Sequence, residues 1–500
     1  MNPPLRRLDA RSLALARSGV RLPSYDRTSL AAGIVHLGLG NFARAHLASY
    51  VEDALEAGDG RWGIIGVSLQ RPDQRDRLAP QDGLYAALEK DGSEIRPRVM
   101  GCLMQVLVAP EDPPAVVSTM ANEACRIVSL TVTEKGYCFT GSGQLDFDHP
   151  VIKADLSDPG RPRSVFGFLA AALRARRKAS VAPFTVLCCD NLAENGRLLA
   201  GLLDSFVRRQ DAGLADWIAD SVAFPSTMVD RIVPETSEAD LAAASGAIGL
   251  VDIAPVSHEP FQQWVIEDRF SEDIRASFEK SGAQVVADVS AYERMKLRML
   301  NGAHSSLAYL GCLAGHATIR EAAADPILRR FVSDLWHSEV IPDVRPPAGV
   351  DPSRYADSIL RRFDNPAILH KTSQVGSDGS LKLPVRLLGT VRERLQRGEP
   401  IPRLAHVVAA WIRYLEGRDD RGENIEVRDP LRDTLQMALA RAGETAAAKV
   451  AALLSVNRVF DAGLSDVAHF RHSVLEAYTS IVGRGALAAT AALAAASSNC

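Results

Sequence analysis

Cysteine is scarce in this chain, and its few cysteines do not form a disulfide or zinc pattern. The 500 residues contain seven cysteines, an odd number, scattered apart from one adjacent pair (positions 102, 125, 138, 188, 189, 312 and 500). None has the paired short spacing of a zinc site. We therefore expect buried thiols in a reducing compartment, no bound metal and a cytoplasmic protein.

Long apolar runs and an excess of one charge are also missing. No stretch approaches the roughly 18 consecutive apolar residues of a membrane span, and the arginine-containing N-terminus lacks the apolar core of a signal peptide. The net charge is −4, with acidic and basic residues interspersed. This composition argues against a nucleic-acid or membrane partner and favours small molecules.

The first half of the chain alternates short apolar runs with helical patterns. The runs are "GIVHLGLG" (33–40), "WGIIGVSL" (62–69), "RIVSLTVTE" (126–134) and "PFTVLCCDN" (183–191). Strands buried on both faces of a parallel sheet have this composition. The intervening "ARAHLASYVEDALEAG" and "SVFGFLAAALRARRKAS" have helical patterns. The alternation predicts an α/β fold, with a Rossmann-type dinucleotide-binding domain over residues 1–284.

Helical patterns dominate from about residue 285 onward. "VVAAWIRYLEG" (407–417) and "AAAKVAALLSVNRVF" (446–460) carry apolar residues at i, i+3, i+4 spacing. The Ala-rich end, "ALAATAALAAASSNC", is expected to be a helix with a frayed tail. We predict a mostly α-helical substrate and catalytic domain over residues 285–500.

The stretch "IVHLGLGNFARAH" has the G-x-G-x-x-G/A fingerprint between a predicted strand and a predicted helix. Gly38 would permit the tight turn, Gly40 would let the backbone approach a pyrophosphate, and Ala43 would keep the helix close to the strand. We assign these residues, with Asn41, Phe42 and Arg44, to the cofactor. The alternative is that the glycines only serve a tight turn.

The choice of dinucleotide depends on the end of the second predicted strand. Asp73 follows "GIIGVSL" there, and a carboxylate at this place would accept the ribose hydroxyl of NAD and repel the extra phosphate of NADP. Arg71 and Arg75 flank Asp73 and would attract that phosphate. The sequence favours NAD and leaves NADP open.

A lysine interrupts the apolar stripe of "YERMKLRMLNGAHSSLAYLG" (292–311). On a helical wheel at about 100° per residue, Lys296 falls among the leucines, with Asn301 and His304 within about 140° of it. Burial favours the neutral amine, which can act as a general base. Glu293 would relay the proton, and Asn301 and His304 would bind the substrate hydroxyl or alkoxide. The alternative is a lysine that reaches the surface and a core histidine.

Two further stretches place polar residues at strand ends. "CCDNLAENG" ends an apolar run with Asp190 and Asn191, and "AFPSTMVDRIVPE" places Asp230 and Arg231 in a loop bounded by prolines. Ligands of α/β proteins bind at the carboxyl ends of strands. Together with the lysine helix, these residues indicate an alcohol dehydrogenase that needs no zinc.

The chain resembles the long-chain polyol dehydrogenase family, which includes mannitol 2-dehydrogenases and fructuronate reductases. The matching motifs are "IVHLGLGNFARAH", "TEKGYC", "CDNLAENG", "FPSTMVDRI", "EPFQQWVIEDRF" and "KLRMLNGAHSSLAYLG". The resemblance implies metal-independent hydride transfer by a monomer. It also implies that Lys296 is the general base, that Asn191 and Asn301 hold the oxyanion, and that His304 and Asp230 bind substrate. Glu134, in "TEKGYC", is assigned to the cofactor.

The substrate is less clearly indicated. In "HKTSQVGSDGSLKLP" (370–384), mannitol enzymes tend to carry arginine in place of Gln374, while fructuronate reductases tend to read "HRTWQIAMDGSQKLP". Lys371, Lys382 and Arg231 are candidate cations for a sugar-acid carboxylate. We predict D-mannonate and D-fructuronate as the reacting pair. The alternatives are mannitol, arabinitol or sorbitol and, in another class, a non-catalytic dinucleotide sensor.

Overall fold

The computed structural model describes residues 5–140, 143–270 and 272–497. The chain forms two compact units, unit 1 (Met1–Ser290) and unit 2 (Ala291–Cys500). The units differ in architecture, because unit 1 combines sheets with helices whereas the described part of unit 2 is built from helices. No helix in the described ranges is long and apolar enough to cross a membrane.

Unit 1 contains strands that belong to three sheets. They are β1 (Ile34–Leu37), β2 (Ile64–Ser68), β3 (Tyr85–Asp91), β4 (Glu94–Met100), β5 (Leu103–Val108), β6 (Ile127–Leu130), β7 (Thr185–Cys188), β8 (Thr227–Asp230), β9 (Val256–His258), β10 (Gln263–Glu267) and β11 (Gln284–Val286). Its helices are α1 (Asn41–Ala45), α2 (Leu47–Glu56), α3 (Asp73–Leu78), α4 (Pro113–Ala121), α5 (Pro150–Ser157), α6 (Val165–Ala179), α7 (Asn195–Arg208), α8 (Ala212–Ser221), α9 (Glu238–Ile248) and α10 (Glu272–Lys280).

The central sheet has the order β5-β2-β1-β6-β7, and all of its neighbouring pairs are parallel. Every residue of β1, β2, β6 and β7 is buried, as expected for strands covered on both faces. These are the four strands that the apolar runs predict, so the predicted Rossmann-type fold is confirmed. The strand order reverses between β1 and β6, and ligands of such sheets bind at the carboxyl ends of the strands at this point.

Two smaller sheets were not predicted. One has the order β4-β3-β9, with β3 and β4 as an antiparallel hairpin, and the other has the order β11-β10-β8. The hairpin strands read "YAALEKD" and "EIRPRVM", in which charged residues interrupt the apolar pattern. β3 pairs with β4 and also with β9, and the pairing with β9 is a contact distant in sequence that no local pattern reveals.

The predicted helices differ from the observed ones mainly in their ends. The pattern over 43–58 is divided at His46, where α1 ends and α2 begins. The pattern over 164–180 forms α6, whose first turn is capped by the Ser164 hydroxyl, which accepts from the Gly167 amide at 3.1 Å. The pattern over 446–460 ends early, at Leu454. The Ala-rich segment is helical to Ser497, and the last three residues lie outside the described ranges.

The helices of unit 2 are α11 (Ser290–Met295), which begins at the end of unit 1, α12 (Gly302–Ala314), α13 (Ile319–Ala324), α14 (Pro326–Leu335), α15 (Pro352–Phe363), α16 (Thr372–Gly376), α17 (Gly379–Leu383), α18 (Gly389–Gln396), α19 (Pro402–Tyr414), α20 (Arg432–Ala442), α21 (Ala446–Leu454), α22 (Ala462–Ser465), α23 (Ala468–Arg484) and α24 (Ala486–Ser497). α12 is buried from Gly302 to Leu313 and lies in the core of the unit.

Three π-helical segments interrupt these helices. The first π segment is Lys296–Asn301, the second is Trp336–Val340 and the third is Pro384–Leu388. The second and the third both pack against the first. Because π turns are rare and concentrate at functional sites, this arrangement directs attention to the first segment.

Candidate active site

The glycine loop after β1 leaves room for a ligand. Gly38 has a φ of +91°, and a Cβ built on it would lie 2.3 Å from the Thr131 carbonyl oxygen, so only glycine fits. A Cβ on Gly40 would have only the Gly38 oxygen near it, at 4.0 Å. Gly40 therefore borders open space at the start of α1, where backbone amides lack helical partners. The loop fits the pyrophosphate of a dinucleotide.

The polar side chains after the glycines are bound to the protein itself. The Asn41 amide donates to the Pro234 carbonyl at 3.3 Å and to the Thr236 hydroxyl at 3.1 Å. Arg44 is buried and donates to the Asn41 amide oxygen at 2.7 Å and to the Ala254 carbonyl at 2.5 Å. These contacts fix the loop, which leaves the backbone amides as the groups suited to phosphate contact.

The two apolar residues of the fingerprint also pack within unit 1. Ala43 is buried beside the sheet, in agreement with the need for a small residue there. The Phe42 ring stacks on His46 with a centroid distance of 5.0 Å. For all these residues, the assignment to the cofactor stays a prediction.

Asp73 is the first residue of α3, after the end of β2. Its carboxylate lies 3.3 Å from the Arg71 guanidinium, and both side chains are exposed. Arg75 forms ion pairs with Asp76 and with Glu111. Arg75 is thus paired with two carboxylates, and the role of Asp73 in the choice between NAD and NADP stays a prediction.

The loop after β6 is strained, and Asp190 at the end of β7 holds it. Thr133 has a φ of 60° and a ψ of 167°, a region that disfavours residues other than glycine. The Asp190 carboxylate accepts from the amides of Val132 at 2.9 Å and Thr133 at 3.0 Å, and from the Tyr137 hydroxyl at 2.6 Å. Glu134 begins the short 3₁₀ turn in this loop, but its side chain is outside the described part of the structure. Tyr137 and Asp190 belong to two separate motifs, "TEKGYC" and "CDNLAENG", and the sequence did not reveal the hydrogen bond between them.

Asn195 was missed by the sequence analysis and connects β7 to β8. Its side-chain amide donates to the Asp190 carbonyl at 3.0 Å and to the Thr227 carbonyl at 2.9 Å, and its amide oxygen accepts from the Thr227 backbone N–H at 2.9 Å.

The predicted oxyanion residue Asn191 is exposed in the loop after β7. Asp230 is buried at the end of β8. Their predicted roles stay predictions.

Arg231 follows Asp230 and is buried, with an exposed fraction of 8%. Its guanidinium donates to the carbonyls of Glu259 and Ala45 and to the side chains of Ser49 and Gln262. All of these partners belong to unit 1. The substrate role predicted for Arg231 stays a prediction.

In unit 2 the predicted lysine helix has a different geometry from the one assumed. Residues 296–301 form the first π segment, so the wheel at 100° per residue is wrong there. In a π turn the hydrogen bonds run from i to i+5, which places residues five apart on nearly the same side. Lys296 and Asn301 are five apart and therefore closer in direction than the α-helical wheel predicted. Lys296, Asn301, His304 and Glu293 are all buried, with exposed fractions between 5% and 8%.

The neighbouring π segments bind carbonyl groups of the first. The Trp336 indole donates to the Met299 carbonyl at 3.0 Å. The Arg386 guanidinium donates to the Asn301 carbonyl at 3.4 Å and to the Ser305 hydroxyl at 3.1 Å. Sequence reasoning missed both residues, because each is far from the lysine helix along the chain. They hold the backbone that carries Lys296 and Asn301.

Two polar atoms beside Lys296 have no hydrogen-bond partner in the described structure. They are Nδ2 of Asn301 and Nε2 of His304, and both are buried. Buried polar atoms are normally hydrogen-bonded, so these two are suited to a ligand. Burial, followed by the charges of His370 and Arg386, lowers the pKa of His304 well below its usual value. His304 is therefore neutral and offers a hydrogen bond without adding charge.

The segment 370–384, which includes α16 and α17, supplies further groups beside His304. The rings of His304 and His370 are 5.5 Å apart, and burial with the nearby charge of Lys382 lowers the pKa of His370 to about 4. The Lys382 ammonium donates to the Val375 carbonyl at 3.1 Å. The other predicted substrate residues differ in access, since Lys371 is exposed and Gln374 is partly buried.

Together these features define the class of protein. A Rossmann-type sheet with an open glycine loop, and a helical unit with a buried lysine beside an unpartnered amide and imidazole, are the parts of a dehydrogenase. The chain belongs to the mannitol dehydrogenase family: residues 32–280 match the family's Rossmann domain and residues 288–482 its C-terminal domain. The resemblance found in the motifs is confirmed.

Similar proteins cover nearly the whole chain. D-mannonate oxidoreductase of Escherichia coli is 42% identical, over 95% of this chain and 98% of its own length. Mannitol 2-dehydrogenase of Aspergillus fumigatus is 41% identical, over 96% and 97%. The solved ternary complex of Pseudomonas fluorescens mannitol 2-dehydrogenase with NAD and D-mannitol is 36% identical, with a TM-score of 0.92 over 97% of this chain and 99% of that one.

Proposed function

We propose that this protein is an NAD-dependent dehydrogenase that interconverts D-mannonate and D-fructuronate, with Lys296 as the general base. The family, the open glycine loop and the NAD complex of the related mannitol 2-dehydrogenase support the cofactor and the reaction type. The similarity to D-mannonate oxidoreductase supports the substrate.

The choice of a sugar acid as substrate rests on the cations around His304 and His370. The charges of Arg386 and Arg362 help to lower the pKa of His304, after burial and His370. Those of Lys382 and Arg386 lower the pKa of His370, after burial. With both imidazoles neutral, this region carries positive charge. A buried substrate carboxylate needs positive charge nearby to compensate its own charge, whereas an uncharged polyol does not.

The side chains of unit 2 have separate tasks in this proposal. Lys296, as the neutral amine, takes the proton of the reacting hydroxyl, and Glu293 passes it on. Asn301 and His304 donate hydrogen bonds to the oxygen on which negative charge develops. Asn191 and Asp230 are assigned as further oxyanion and substrate residues. NAD, when bound at the glycine loop, supplies the hydride acceptor.

The second candidate is a mannitol 2-dehydrogenase, or another polyol dehydrogenase acting on arabinitol or sorbitol. It is supported by the 41% identity to the Aspergillus enzyme. Gln374 counts against a mannitol enzyme, because such enzymes tend to carry arginine at this position and glutamine lacks the bidentate grip of arginine.

A substrate panel tests the proposal and separates the two candidates. Mannonate, fructuronate, tagaturonate, mannitol, arabinitol and sorbitol are each assayed with NAD or NADP, or their reduced forms, at several pH values. We expect the highest kcat/KM for mannonate and fructuronate. Turnover of mannitol or arabinitol without turnover of mannonate would favour the second candidate, and no turnover of any of them would favour a sensor.

We also propose that the protein is a cytoplasmic monomer. The scattered cysteines and the family resemblance support this expectation. Light scattering after size exclusion should give a mass close to the 53.9 kDa of one chain. A mass of twice that value would contradict it.

A further inference from the structure

A cavity of about 540 Å³ in unit 1 is lined by an unusual number of arginines. Arg21, Arg96, Arg98 and Arg231 reach it, together with the carboxylates of Asp53 and Glu89. The glycine loop and the buried group of Glu293, Lys296, Asn301 and His304 contribute no residue to its wall. Of the residues that the sequence assigned to the substrate, Arg231 lies in this wall.

Three of the four arginines are neutralised by carboxylates. Arg21 lies 3.2 Å from Asp53, and Arg98 lies 2.7 Å from the same carboxylate. Arg96 lies 2.7 Å from Glu89. The two carboxylates of the cavity are thus already paired.

Arg231 is the exception. Its Nε donates to the Glu259 carbonyl at 3.2 Å, and its Nη1 donates to the Ala45 carbonyl, the Ser49 hydroxyl and the Gln262 amide oxygen at 2.6, 3.1 and 2.9 Å. Within the described ranges, Nη2 donates no hydrogen bond to the protein, and no carboxylate lies within the 4.0 Å that defines an ion pair. Nη2 is not among the fully buried atoms that lack a partner, so it is accessible to solvent. One end of a buried guanidinium is therefore available in the wall of the cavity.

Burial without a carboxylate destabilises this charge. Desolvation lowers the pKa of Arg231 to about 10, even though several acidic groups lie at longer range. An arginine nevertheless remains protonated at neutral pH. A buried charge of this kind is stabilised when an anion binds beside it.

We propose that this cavity binds a small oxyanion, a carboxylate or a phosphate, through a charge-assisted hydrogen bond from Nη2 of Arg231. The volume is within the range of small-molecule sites. The bond to an ionised oxygen is about twice as strong as a neutral one, and it supplies the counter-charge that the protein does not. The site concerns unit 1 alone and does not depend on the proposed reaction.

Titration calorimetry at constant ionic strength tests the site. Inorganic phosphate and glycerate are the two probes, and the full-length protein is saturated with NADH so that its dinucleotide site is filled. Ile95 lines the cavity and is 40% exposed, so it can be replaced without disturbing the core. Ile95→Glu adds a negative charge at the cavity, and Ile95→Gln is the neutral control of the same size. Arg231→Lys keeps the charge and loses the guanidinium fork.

We expect saturable binding of at least one probe to the wild type. Binding should be about tenfold weaker in Ile95→Glu, because like charges repel, and unchanged in Ile95→Gln. Arg231→Lys should weaken it at least as much. Binding of phosphate alone or of glycerate alone would identify the class of anion. No saturable binding of either probe, or equal binding by Ile95→Glu and Ile95→Gln, would overturn the proposal.

Discussion

The indole Nε1 of Trp336 donates a 3.0 Å hydrogen bond to the carbonyl of Met299, in the middle of the first π segment. Both residues are buried. A π turn leaves some carbonyls without the partner that an α-helix would provide, and a donor from a neighbouring segment satisfies this one. The bond therefore stabilises the backbone geometry that carries Lys296 and Asn301.

Trp336→Phe should consequently affect the reaction more than the stability. The lost bond leaves a buried carbonyl unsatisfied, at a cost of about 1–3 kcal/mol, which a shift toward a regular helix would relieve. Such a shift would turn Asn301 away from Lys296. We expect kcat to fall about tenfold or more with little change in the Kd of NADH.

The matched control for this variant is Trp411→Phe. Trp411 is also buried in unit 2, but its Nε1 has no hydrogen-bond partner in the described structure. It loses the same ring volume without losing a bond. Equal losses of kcat in the two variants would show that packing, not the bond to Met299, explains the effect of Trp336.

Lys296 should be essential for oxidation of the alcohol. Lys296→Ala removes the proposed base, and we expect kcat to fall by about 10² or more, the usual scale of general base catalysis, while NADH binding is nearly unchanged. Lys296→Arg keeps a cation that cannot lose its proton, so it should be as inactive as alanine. The increase in rate with pH that we expect for the wild type should vanish in both variants. Wild-type turnover in either one would exclude the assigned role.

The sequence predicted the elements whose patterns are local. β1, β2, β6 and β7 are short apolar runs bounded by turns, and Gly38 is required by a φ that other residues avoid. The apolar stripe favoured a buried Lys296 but left open a lysine that reaches the surface, and the structure buries Lys296. The sequence thus predicts features that depend on the residues of a single strand or a single helix.

The missing parts depend on contacts between distant residues. The π turn at Lys296–Asn301 has no sequence period of its own, and its hydrogen bonds come from Trp336 and Arg386, 37 and 85 positions away from their partners. The β3–β4 hairpin has charged strands that pairing stabilises. The partners of Arg231 include Ala45, which is 186 positions away, and no local pattern reveals such a contact.

The cofactor preference should be at least tenfold in kcat/KM for NAD over NADP. Arg75 is paired with Asp76 and Glu111, whereas Arg71 lies 3.3 Å from Asp73, so we expect Arg71 to offset the Asp73 carboxylate. Asp73→Asn should lower the ratio, because a 2′-phosphate is no longer repelled, and Arg71→Gln should raise it. Steady-state kinetics with both cofactors measure the ratio. If neither variant changes it, the selective group lies elsewhere.

Acid should destabilise unit 2 through His406. Burial lowers its pKa to about 4 in the folded protein, while an unfolded histidine titrates near 6.5. Between these values the unfolded chain binds a proton that the folded chain does not, so stability is lost as the pH falls from about 6.5 to 4. The difference of roughly 2.5 units corresponds to about 3 kcal/mol.

His406→Gln should remove this contribution. Denaturant unfolding at pH 7 and pH 4.5 should show a smaller loss of unfolding free energy on acidification in the variant than in the wild type. His472→Gln, at an exposed histidine of α23, is the control and should behave like the wild type. The same acid sensitivity in all three proteins would contradict the role of His406.

Lys382 should decide the use of sugar acids. It contributes to the positive charge at His370, and its ammonium donates to the Val375 carbonyl at 3.1 Å. Lys382→Met should lower kcat/KM for mannonate at least tenfold, roughly the 1.5–3 kcal/mol of a hydrogen bond to a charged group. Any residual activity on mannitol should barely change. This comparison separates the loss of the lysine charge from a structural change in the segment 370–384. Lys371→Met makes the same change at an exposed lysine nearby and should have a smaller effect. Equal losses of kcat/KM for mannonate and mannitol in Lys382→Met would show that this lysine positions the segment 370–384 and does not bind the carboxylate.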